Sequence, residues 1–117
     1  MINIDQNVYS ALSDVAKTHL GYSKEWNEFP HITYLCTDNS VARKSDGEEY
    51  LTHFVYKVDL YCDAMDNSMS LCELLDDAMC NLGFKRESLQ YLQEEYIHFL
   101  FYYSAYVDRN GYVFQSI

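Results

Sequence analysis

Among the 117 residues only four are glycine and one is proline. The glycines stand singly at Gly21, Gly47, Gly83 and Gly111, so no glycine cluster could cradle a phosphate group. Positive charge is also scarce. Eight Lys and Arg face 18 Asp and Glu, giving a formal net charge of −10 and a pI near 4.5. That imbalance argues against simple electrostatic binding to nucleic acid or to an anionic membrane, since neither would release counterions onto such a surface. The opening residues Met1-Ile2-Asn3-Ile4-Asp5 hold no basic region followed by an apolar stretch, so no signal peptide is expected. The longest nearly uncharged run, Tyr96 to Val107, is too short to span a bilayer as a helix. The expectation is a protein of the cytosol where it is made.

The usual marks of catalysis and metal binding are missing as well. His19, His31, His53 and His98 are scattered, without HExxH, HxxxE or His-Cys spacing, so no metal or cofactor is expected. The four cysteines, Cys36, Cys62, Cys72 and Cys80, show no CxxC spacing and read as buried thiols. No serine stands in GxSxG, and Cys72 belongs to the packed first turn of a helix, where it would be a poor nucleophile. Asp76 and Asp77 diverge by about 100° on a helix, so they cannot share a proton and read as a solvated face. No catalytic residue is predicted, and the chain reads as a non-enzyme.

What is abundant is aromatic side chain: 12 Tyr, 6 Phe and 1 Trp, within a composition that is 49% hydrophobic. Such a length can bury one core, and 1–117 is read as a single domain. Two tyrosine-rich alternating segments, Glu49 to Cys62 and Tyr96 to Val107, have the period of strands. The second is apolar on both faces, which predicts a central strand or one whose outer face meets another subunit. Between them, Leu71, Leu74, Leu75, Ala78, Met79 and Leu82 form a helical stripe that starts near Ser70 and ends at Gly83.

Val8, Tyr9, Leu12, Val15, Ala16 and Leu20 predict another helix over Asp5 to Leu20, capped by Asn3 or Asp5 and closed by Gly21. Tyr22 to Pro30 reads as a connector that carries Trp26 and Phe29 towards the core. His31 to Thr37 reads as a strand, Asp38 to Glu48 as a long hairpin loop or the flexible tip of a hairpin with an Asp46-Gly47 turn, and Phe84 to Leu92 as a strand. Asn110-Gly111 is a hairpin turn signal, and the tail 108–117 either folds back or reaches a neighbouring chain. The predicted order is α-β-β-α-β-β: an α+β fold, a mainly antiparallel sheet with two helices packed on one face.

A family likeness follows from these segments. Phe29-Pro30-His31-Ile32-Thr33-Tyr34, a polar loop with Asp46-Gly47, and Val55-Tyr56-Lys57-Val58-Asp59-Leu60-Tyr61 carry its first part. Leu74-Leu75-Asp76-Asp77-Ala78-Met79, then Leu82-Gly83-Phe84-Lys85-Arg86, and finally Phe101-Tyr102-Tyr103-Ser104-Ala105 carry the rest. In order and spacing the chain resembles the tail terminator or tail-completion proteins of long-tailed bacteriophages and prophages, also called head-tail joining or minor tail proteins. The likeness runs from about Asn7 to Val107.

The resemblance implies a virion structural protein that caps the finished tail tube as a homo-oligomeric ring, usually hexameric. Its partners would be further copies of itself, the major tail tube protein and the head-completion or connector protein. DNA would pass through without specific binding, and no membrane would be involved. The protein would reside in the host cytoplasm during assembly and in the tail or neck of the mature virion. Under this reading Asp38, Asp46, Glu48 and Glu49 are candidates for the lumen, and Tyr102 and Tyr106 for a subunit contact. The alternative is an acidic DNA-mimicking inhibitor, which would need carboxylates spaced like phosphates on one face. A small enzyme or ligand-binding domain is the third possibility, disfavoured because no polar constellation converges.

Overall fold

The computed structural model describes residues 4–21, 29–45, 48–93 and 95–115. Two helices, α1 (Asp5–Ser13) and α2 (Met65–Asn81), accompany six strands: β1 (Lys17–Leu20), β2 (His31–Ser45), β3 (Glu48–Cys62), β4 (Lys85–Gln93), β5 (Ile97–Asp108) and β6 (Val113–Phe114). The sheet order is β1-β2-β3-β5-β4, antiparallel except for β1 beside β2. β5 is central in the strand order. One edge is paired with β3 from Leu51↔Asp108 to Cys62↔Ile97. The other is shared end to end by β4, as far as Lys85↔Ser104, and β6, at Tyr106↔Phe114 and Val107↔Val113. The chain is thus α+β, as the alternating periods predict.

Alternation along the strands divides the sheet into two faces. One joins Ile32 and Tyr34 of β2, Phe54, Tyr56, Val58 and Leu60 of β3, and Phe99, Phe101, Tyr103 and Ala105 of β5 to Val8 and Leu12 of α1 and Cys72, Leu75 and Met79 of α2 in a single buried core. Tyr56 and Tyr103 are register partners on this face, and both are fully buried. A phenol can be buried so deeply only if its hydroxyl finds an acceptor. The Tyr56 hydroxyl donates to Asp5 in the first turn of α1, and the Tyr103 hydroxyl donates to Asp76 of α2 at 2.8 Å. Each helix is therefore pinned by an aspartate to a tyrosine in the middle of the sheet.

Several expectations are corrected. The first helix stops at Ser13, and Lys17–Leu20 forms a parallel strand against His31–Tyr34, so the order is α-β-β-β-α-β-β-β. Val15, Ala16 and Leu20 fit a helical stripe, but Ala16, Thr18 and Leu20 fit alternation, and Thr18 is the buried member of the strand. Gly21 follows this strand, with its N–H donating to the Tyr34 carbonyl at 2.8 Å. Ile4 occupies the N-cap of α1 and its hydrocarbon side chain can make no cap, Asp5 lies inside the first turn and accepts from Tyr56, and Asn3 lies outside the described residues. The second helix begins at Met65, ahead of Ser70, and Leu74 of its stripe is exposed.

Residues 38–45 form strand, where a loop was expected. β2 continues to Ser45 and pairs with β3 as far as Ser45↔Glu48, with register shifts at Cys36/Asp38, Val41/Arg43 and Arg43/Lys44. Its polar composition suits an edge strand whose side chains face water while β3 satisfies its backbone. Asp46-Gly47 and Trp26 lie outside the described residues. In the tail 108–117, residues 113–114 fold back as β6, through a turn in which the Asp108 carboxylate accepts from the N–H groups of Asn110 and Tyr112. Gly83 is required where β6 arrives: its φ is +102°, and a Cβ there would meet Val113 at 2.9 Å.

Candidate interface on the helix-free sheet face

The second face of the sheet has neither helix against it. Register places its side chains in rows that cross the strands. The row at one end holds His31, Tyr61, His98 and Leu92, and the next holds Thr33, Asp59, Leu100 and Gln90. Leu35, Lys57, Tyr102 and Ser88 follow, then Asp38, Val55, Ser104 and Lys85, then Ser40, His53, Tyr106 and Phe114. Lys17 and His19 of β1 extend the first two rows, so all four histidines stand on this face.

The first rows are closed. His31, Thr33, Asp59, Tyr61 and His98 are buried although no helix covers them. They bury one another through ring stacking: His19 on His31 at 4.7 Å, Tyr61 on His98 at 4.3 Å, and Tyr96 edge-on to Tyr61 at 5.4 Å between centroids. Phe29 lies 6.0 Å from Tyr96 at the end of the row. Beneath the rings, His98 Nε2 donates to Asp59 Oδ2 at 2.6 Å, and Lys57 Nζ lies 3.5 Å from Asp59 Oδ1. A buried carboxylate needs such compensation from both of its oxygens.

The later rows are open. Tyr102 and Tyr106 are half-buried, Leu35 and Phe114 are exposed, and Val55 is half-buried. A second histidine-aspartate pair sits here: His53 Nδ1 donates to Asp38 Oδ2 at 3.2 Å, with side chains 28% and 45% exposed against 8% and 6% for His98 and Asp59. Ser40 Oγ also donates to Asp38 Oδ2, at 3.2 Å, and the His53 ring lies 4.8 Å from Tyr106. His53 and His98 do occupy adjacent strands, but at opposite ends of the face.

The candidate residues thus separate. Tyr102 and Tyr106 come together on the open rows, and Asp38 joins them there, opposite Val55, without belonging to a projecting loop. Glu48 and Glu49 pair with Ser45 and Lys44 near the hairpin tip, beyond the reach of β5, whose pairing with β3 starts at Leu51. Asp46 lies outside the described residues. Sequence reading missed the histidine rows, because only the strand register brings those positions to one face. It also missed the role of Asp76, half-buried between Tyr103 and Arg86 Nη1, the latter 3.5 Å from Asp76 Oδ2. The basic Arg86 is therefore engaged within its own subunit.

Both signs of charge stand on the helix-free face, where Asp38, Asp59 and Glu87 accompany the cations. Lys17, Arg43, Lys57 and Lys85 all take register positions on the helix-free face. On the helical side, Asp14, Asp63, Glu73 and Asp77 are exposed. A groove of about 410 Å³ between the helices is lined by Ala11, Asp14, Val15, Leu74, Asp77 and Ala78.

The four thiols are held in their protonated form by burial. Burial pushes the Cys62 and Cys72 thiols up to about 11, and it raises Cys36 and Cys80 as well, so thiolate is disfavoured at neutral pH. Among the described residues no three His, Cys, Asp or Glu side chains are grouped so as to hold a metal ion. No described helix is long and apolar enough to cross a membrane. No family model matches the chain, and no curated protein matches it significantly.

Proposed function

We propose that this chain works by assembly, as a tail terminator or head-tail joining component of a long-tailed phage or prophage that caps the tail tube as an oligomeric ring. The observation that carries this reading is the open half of the helix-free face, where Leu35, Val55, Tyr102, Tyr106 and Phe114 lie without a helix over them. Half-exposed tyrosines, with Leu35 and Phe114 exposed among Asp38, His53 and Lys57, are the composition of a surface that meets protein. A solvated sheet face would carry polar side chains in those positions.

The same reading gives the acidity a use. Six copies would carry a formal charge of six times −10, and carboxylates facing a lumen would repel passing DNA. The ring would contact the tube protein on one side and the head connector on the other. It would form in the host cytoplasm and stay in the tail or neck of the virion. The test is to add the purified chain to a polymerising tail tube protein of a long-tailed phage, and to image the products. Rings seated on tube ends and shortened tubes are the expected result. Tubes of unchanged length with bare ends would overturn the reading.

A further inference from the structure

We infer that the groove between the two helices receives a short basic segment of a partner protein, with an aliphatic side chain seated between flanking Lys or Arg residues. This goes beyond the assembly reading and does not depend on what covers the sheet face. The groove is built from the ends of both helices. Ala11 and Val15 at the end of α1 and Ala78 and Leu82 at the end of α2 are half-buried along it, and Leu74 stands 54% exposed at its border. These apolar groups are covered by neither the sheet nor the other helix. A volume of about 410 Å³ lies at the small end of ordinary ligand sites, so the groove accepts a few side chains and not a whole helix.

Charge defines the occupant. A helix C-terminus carries roughly half a negative charge, which Lys or Arg in the last turn commonly offsets. Two such ends border this groove, and neither helix holds a basic residue in its last turn or anywhere else. Asp14 and Asp77 add two carboxylates at the rim. Other acids of the helices are committed within the subunit: Asp5 accepts from Tyr56, and Asp76 accepts from Tyr103 and lies 3.5 Å from Arg86. Asp14 and Asp77 instead face water. A purely aliphatic segment would strip water from them without replacing it, and an acidic segment or a nucleic acid would be repelled. Lys or Arg beside an aliphatic anchor answers both the rim and the floor. A second copy of this chain is disfavoured, because its net charge of −10 opposes approach to an acidic groove.

The test pans a displayed library of short random peptides on the native chain and titrates the enriched peptides by fluorescence anisotropy at low salt. Three variants accompany it: Asp14→Asn with Asp77→Asn at the rim, Leu74→Ser at the border, and Asp63→Asn with Glu95→Gln, which removes the same charge away from the groove. All five positions are exposed, and unchanged circular dichroism melts establish that the variants fold. Enriched peptides should carry Lys or Arg beside Leu, Ile or Met. Their affinity should fall about 10-fold with the rim pair, about 5-fold with Leu74→Ser, and less than about 2-fold with the distant pair. No enrichment, enriched peptides without cations, or equal losses for the rim and distant pairs would overturn the inference. If Leu74→Ser lowers the sedimentation coefficient of the peptide-free chain, the groove belongs to a second copy and the inference falls.

Discussion

The two ends of the helix-free face use the same side chains in different states. At the closed end, His98 and Asp59 are buried, hydrogen-bonded at 2.6 Å and sealed beneath Tyr61 and Tyr96. At the open end, His53 and Asp38 make a longer contact of 3.2 Å beside Tyr106, and both side chains are partly exposed. The difference teaches that an aromatic and histidine-rich face can be finished from within or left for a partner. The closed end stabilises the subunit. The open end contributes little until something covers it.

The sharpest way to break this comparison is to remove one partner from each pair. Asp59→Ala leaves His98 without its acceptor and Lys57 without its nearby carboxylate in a buried setting, and should lower unfolding free energy by about 3 kcal/mol. The midpoint of urea denaturation reads this directly. The matching Asp38→Ala at the open end should cost less than about 1 kcal/mol, because an exposed pair is screened by solvent. Equal costs would show that the two ends do not differ as described.

A change of intermediate size sharpens the comparison from the helix-covered side. Tyr103→Phe removes a hydrogen bond to Asp76 and should cost about 1 to 2 kcal/mol, less than Asp59→Ala and more than Asp38→Ala. It also has a pH signature. Burial, reinforced by the hydrogen bonds to Asp76 and Asp5, raises the Tyr103 and Tyr56 phenols far above their ordinary value of 10.0. Below about pH 10 both native and unfolded chains hold these protons, so this contribution is fully present. Above it the unfolded chain releases protons that the native chain keeps, and stability falls as pH rises towards the native values. Tyr103→Phe should flatten that alkaline loss. Absorbance at 295 nm should show these two tyrosines ionising only as the chain unfolds.

The strand core was legible in the sequence because period and composition agreed there. Phe54 through Leu60 alternate over a long run, and in Ile97 to Val107 one face packs in the helix-covered core while His98 on the other stacks on Tyr61. Gly83 marked the end of α2 correctly, and β6 packing against it was hidden by the brevity of Val113–Phe114. Lys17–Leu20 was lost because four residues carry too little periodicity to separate strand from helix. Asp38 to Ser45 looked like a loop because an edge strand with register shifts tolerates polar side chains on both faces.

Of the candidate site, Tyr102 and Tyr106 could be picked from the excess of aromatic residues on one strand. The two histidine-aspartate pairs could not. His98 and Asp59 are 39 positions apart, and His53 and Asp38 are 15 apart, so only strand register brings them together. Asp76 read as solvated because its neighbour Asp77 is, and the tyrosine that claims it lies 27 positions away.

The central claim is that the open rows of the helix-free face join one copy to another. Sedimentation velocity of the native chain beside a Tyr102→Asp, Tyr106→Asp variant tests it most directly. The account predicts a discrete oligomer for the native chain and a monomer for the variant, with the thermal unfolding of the variant shifted by no more than a few degrees. The same sedimenting species for both chains would contradict it.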